Sequence, residues 1–139
     1  MDGLAYSEKQ LDLLTSVVTL LLPLSTGFVV LVAAGLPRLA AGGLLKTIRQ
    51  RRMLVASFVL IVCSIGFWSG CLAFLVDTAR PFDLPLGVVP TLNLRLLNAE
   101  WQAAIACAQV GLASFFFALL TYATAAYRGL GLVVSEKKT

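Results

Sequence analysis

The chain has 139 residues, 59% of them hydrophobic and 13% charged, with a mean hydropathy of +0.91 and a net charge of +4. A soluble domain of this size carries roughly 25% charged residues, so an ordinary water-soluble fold is excluded. Nucleic-acid binding is not expected either, because five of the eleven basic residues (Arg38, Lys46, Arg49, Arg51 and Arg52) crowd into one short segment without an acid. That clustering is the pattern of a loop held at a surface of anionic headgroups.

Residues 1–12 are polar and net acidic, with Asp2, Glu8 and Asp12 against Lys9. Ser7-Glu8-Lys9-Gln10 has the S-x-x-Q form of a capping box, which predicts a helix starting near Ser7. The first uncharged run, 13–37, is too long for a signal-peptide core and is preceded by acids, so it reads as a retained membrane helix. Pro23 predicts a kink in it, with Ser25, Thr26 and Gly27 next to the freed carbonyls. Gly35-Leu36-Pro37 predicts its end. Residues 38–52 then form the basic loop, in which Leu44, Leu45 and Ile48 beside Lys46 and Arg49 suit a short turn lying on the membrane surface.

The second uncharged run, 53–76, has 24 residues. As a helix it measures about 36 Å, enough to cross a hydrocarbon core of about 30 Å. It carries the GxxxG pattern Gly66-Phe67-Trp68-Ser69-Gly70, and Ala56, Cys63, Gly66, Gly70 and Ala73 make a face of small residues. Small residues four apart let helix backbones approach closely, which matters where lipid provides no hydrophobic drive for association. Phe58, Phe67, Trp68 and Phe74 are expected to point in other directions.

Residues 77–100 change character. Pro81, Pro85, Pro90 and Gly87 argue against a continuous helix, and Thr91 to Leu96 alternates polar with apolar, as a short strand or surface-lying extended piece does. Asn98 is the expected N-cap of a third helix, with Glu100 placed favourably against the helix dipole. The third uncharged run, 101–127, has Trp101 at one end and Tyr122 and Tyr127 near the other, as interfacial aromatic belts do. Gly129 and Gly131 predict its end and leave a short tail. Ala103, Cys107, Gly111, Ser114, Ala118, Thr121 and Ala125 form a second small-residue stripe, expected to pack against the Gly66/Gly70 face. Phe115, Phe116 and Phe117 are expected to face lipid or a partner. Gln102 and Gln109, seven apart, share a face with Ala106 and Ala113.

The expectation is an all-α integral membrane protein of one domain with three transmembrane helices, at about 13–37, 53–76 and 101–127. The basic loop 38–52 and the tail 128–139 place the C-terminus in the cytoplasm, and the N-terminus and the Pro-rich loop 77–100 outside. A multi-pass protein of a bacterial inner membrane or a plasma membrane fits this pattern.

Chemistry is sparse. Histidine is absent, which removes the commonest general base and metal or haem ligand. No acid or base interrupts the three runs, and no nucleophile elbow, HExxH helix or phosphate loop is present. Cys63, Cys71 and Cys107 lie inside the runs without metal spacing and read as small packing residues, although Cys71 and Cys107 are expected at similar depth. No catalytic site, metal or cofactor is expected. The expected function is that of a non-catalytic membrane subunit or adaptor. It would assemble with other membrane chains or copies of itself through Gly66, Gly70, Ala73, Ala103, Cys107, Gly111, Ser114 and Ala118, with anionic lipid at the basic loop. The alternative is a homo-oligomeric channel or membrane-disrupting pore with Gln102 and Gln109 facing its lumen.

Overall fold

The computed structural model describes residues 4–41, 48–83 and 93–138. These form three helices: α1 (Glu8–Ala41, 34 residues), α2 (Ile48–Asp83, 36 residues) and α3 (Leu94–Lys137, 44 residues). All three contain segments long and apolar enough to cross a membrane.

The capping box at the start of α1 forms. The Ser7 N–H donates to Gln10 Oε1 at 2.9 Å, the Gln10 N–H donates to Ser7 Oγ at 3.4 Å, and the Leu11 N–H donates to Ser7 O at 3.0 Å. The helices outrun the uncharged segments at most ends. α1 passes through Pro37 to Ala41, and α2 starts at Ile48 and passes through Pro81 to Asp83. Each of these prolines lies within about a turn of its helix end. It removes one N–H there.

The start of α3 differs from the expected one. Asn93, not Asn98, is the cap: its side-chain Oδ1 accepts from the Leu96 N–H at 3.3 Å and its carbonyl from the Leu97 N–H at 3.1 Å. Leu94 to Leu96 are therefore helical rather than extended. Their alternation extends into the spacing of the α3 core, since Leu97, Trp101 and Ala104 follow at steps of four and three on the buried side. Gly129 and Gly131 do not end the helix, which continues to Lys137. The expected surface turn at 44–48 lies outside the described residues apart from Ile48, which opens α2; of the expected Pro-rich loop 77–100, residues 84–92 lie outside them, while 77–83 and 94–100 are helical.

α2 is the central helix and packs on both others. Its buried edge is Leu54, Ser57, Ile61, Ser64, Trp68, Cys71, Leu75 and Thr78, alternating steps of three and four. That 3.5-residue period keeps one seam facing its neighbours over seven turns, as in a left-handed helix pair. α3 answers with Leu97, Trp101, Ala104, Gly111, Phe115, Ala118 and Ala125 on the same period. Trp68 pairs with Gly111 and Ser57 with Ala118, so the two helices run antiparallel.

Candidate functional site

The seam between α2 and α3 is built on one large side chain. Trp68 is fully buried, and its indole lies on Gly111: a Cβ added there would stand 2.5 Å from Trp68 Nε1 and 2.6 Å from Cδ1. The glycine is the hole that admits the tryptophan. Phe115 closes one side of it, tilted at 51° with ring centres 5.6 Å apart. Further along, the buried Ser57 hydroxyl donates to Ala118 O at 3.0 Å, a bond from helix to helix.

This corrects the expected pairing. Gly66 and Gly70 do not meet the α3 stripe; a Cβ on either finds nothing within 4 Å, and Ala73 is exposed. Trp68, expected to point elsewhere, is the packing residue. On α3, Gly111 and Ala118 are buried in the seam, while Ala103, Cys107 and Ser114 flank it half-buried. Phe115 also turns inward, and only Phe116 and Phe117 are exposed. Cys71 is in the core and Cys107 packs against it; both are free thiols.

At the end of the bundle where α1 and α3 begin, aromatic rings form a clasp. The Tyr6 ring stacks on Trp101 at 4.8 Å and meets the edge of Phe82 at 6.0 Å. The Tyr6 hydroxyl donates to Thr78 O at 2.8 Å, and the Ala5 N–H donates to Asn98 Oδ1 at 2.9 Å. Trp101 is thus a core residue rather than an interfacial anchor. Burial, and secondly the nearby Glu100 carboxylate, push the Tyr6 phenol above its usual pKa, so it stays a donor. Beside the clasp, Arg80 and Asp77 pair at 2.7 Å on the surface.

The outward faces differ in how their polar groups are satisfied. The hydroxyls of Thr19, Thr26, Ser69 and Thr124 are exposed, and each donates to the carbonyl four residues earlier in its own helix. They need nothing from outside. Gln102 and Gln109 are also exposed, yet neither side-chain amide makes a hydrogen bond among the described residues. Gln109 lies within two residues of the midpoint of the apolar span Leu94–Arg128. With Ala106, Ala113, Phe116 and Leu120 the two glutamines form an exposed stripe stepping by four and three, on the side of α3 away from its seam.

At the other end of the bundle, Arg49, Arg51 and Arg52 project from the first turn of α2, which contains no acid. The Arg38 side chain and Lys46 lie outside the described residues. A cavity of about 400 Å³ opens beside these arginines, between α1 and α2. Among the described residues no three His, Cys, Asp or Glu side chains converge as metal ligands would.

Sequence reasoning did not find the clasp, the cavity or the role of Trp68. For Trp68 a signal existed: Ser57, Ser64 and Trp68 fall on one 3.5-residue period with Ile61 and Leu75. Comparison with family models, curated proteins and solved structures found no match.

Proposed function

We propose that this chain is a non-catalytic, multi-pass membrane subunit or adaptor, and that the exposed glutamine stripe of α3 is the face by which it assembles with another membrane chain. One observation carries this reading: Gln109 projects outward near mid-span with no hydrogen-bond partner among the described residues. An amide left unpaired in hydrocarbon costs several kcal/mol by transfer estimates of about 4–8. A helix from another chain relieves that cost by pairing with it, in the way polar side chains join transmembrane helices. Ala106 and Ala113, on either side of Gln109, leave room for the approach. The open glycines Gly66 and Gly70, with Ala73, give α2 a second face on which a backbone can come close. By the positive-inside rule we read the basic first turn of α2 as lying at the cytoplasmic surface, with the N-terminus outside.

Native mass spectrometry of the complex extracted from its own membranes in mild detergent tests this. The wild-type chain is expected in a fixed ratio with an unlike chain. Gln109→Leu should lose that chain while Phe117→Leu, on a neighbouring lipid-exposed direction, keeps it. A homo-oligomeric ring that leaks ions from liposomes would instead make the same stripe a pore lining. A monomer unaffected by Gln109→Leu would remove the assembly role.

A further inference from the structure

The cavity at the basic end has a defined chemistry. Val32 and Leu36, one turn apart, form its α1 wall. Arg51, Leu54, Val55 and Phe58 form its α2 wall, spaced three, one and three along one helix face. Val32 and Leu54 are buried and make the floor, whereas Val55 and Phe58 are exposed and leave the side open to the surroundings. Every lining residue is apolar except Arg51 at the end nearest the basic segment. From Arg51 to Phe58 is about 10 Å along the axis, so the cavity descends from the arginine level into the apolar span. Its volume of about 400 Å³ falls within the range of about 300–1,000 Å³ of small-molecule sites.

We infer that this cavity is a binding site for one anionic phospholipid, its acyl chain lying between α1 and α2 and its phosphate on Arg51. Three features select this occupant. The opening faces sideways, the direction from which a membrane lipid arrives. The apolar walls accept a hydrocarbon chain and offer it no hydrogen bond. The charge at the rim is of one sign: Arg49 and Arg52 flank Arg51, and no acid shares the first turn of α2. A guanidinium presents five donors and engages phosphate with two at once, so Arg51 can hold a headgroup while keeping a contact within the chain. The site is independent of the glutamine stripe, which lies on α3.

The test is lipid retention by the full-length protein. The chain is reconstituted with equal parts of phosphatidylglycerol and phosphatidylcholine, extracted in mild detergent, and its bound lipid counted by native mass spectrometry. One phosphatidylglycerol per chain is expected, in preference to phosphatidylcholine. Arg51→Gln should reduce that preference about fivefold, the effect of one basic residue near an anionic surface. Val55→Trp, which fills the cavity from its exposed side, should abolish retention of either lipid while circular dichroism shows the three helices intact. Equal retention of the two lipids by the wild type would overturn the assignment, and so would retention unchanged in both variants. Conversion of an oligomer to a monomer by Val55→Trp, with lipid retention unchanged, would show that the groove seats a second copy and would overturn it equally.

Discussion

Gly111 and Trp68 show how one residue decides whether two helices meet. With hydrogen at position 111 the indole lies against the α3 backbone; with a methyl it must move, because rigid ring atoms rather than the end of a flexible chain stand in the way. Gly111→Ala is therefore expected to lower stability by about 1–3 kcal/mol, the usual cost of overpacking. Trp68→Phe in the same chain should recover part of that loss, and a double-mutant cycle by detergent-denaturant titration measures the coupling. Additive effects would mean that the two residues do not share a contact. Gly70→Ala in the same assay should be close to neutral, since a Cβ there meets nothing. Small residues in a membrane helix announce close approach, but they do not say from which side it comes. That is why Gly111 was legible as a packing residue and the facing of Gly66 and Gly70 was not. The true counterpart is a large residue, and only its place on the 3.5-residue period marked it.

At the scale of elements, the three helices were legible because uncharged runs of 24 residues or more have one stable form in lipid. Their ends were not. The helices run on through Pro37, Pro81 and Gly129, residues that often stop them, and Asn93 and Asn98 are equally good caps by residue type. Asn98 has a different task, accepting the Ala5 N–H and helping to hold the start of α1. The clasp around Tyr6 ties the segment before α1 to α2 and α3, and it makes a pH-dependent prediction. The phenol's pKa is raised in the folded state, so the unfolded chain releases this proton first as pH rises. The contribution of Tyr6 is then complete below its ordinary pKa of about 10 and declines as pH climbs from there through the raised value. In a Trp68→Phe background the emission of Trp101 should hold steady through neutral pH and change only above pH ~10. Tyr6→Phe should remove that transition, and a transition near neutrality in the unsubstituted clasp would contradict this picture.

As a whole, the molecule is a helix series with two unlike ends and an outward stripe on α3 that carries two exposed amides. One end is closed by rings and hydrogen bonds, and the other carries arginines beside an open apolar cavity. The stripe of Gln102, Ala106, Gln109 and Ala113 exposes two amides, whereas the exposed hydroxyls of Thr19, Thr26, Ser69 and Thr124 are satisfied within their own helices. The seven-residue spacing of the glutamines was plain in the sequence. Their exposure was not, because it depends on which side of α3 turns inward, and the small stripe from Ala103 to Ala125, whose Ala103, Cys107 and Ser114 only flank the seam, pointed slightly to one side of it. The central claim is that another helix covers the glutamine stripe. Oxygen accessibility of a spin label measures this most directly, with single-cysteine chains, native cysteines replaced by alanine, assembled in their own membranes. A label at Ala113, on the stripe, should be shielded from dissolved oxygen relative to one at Phe117, and Gln109→Leu should remove the shielding. Equal accessibility at 113 and 117 in the chain that retains Gln109 would show that the stripe faces lipid and contradict the assembly role.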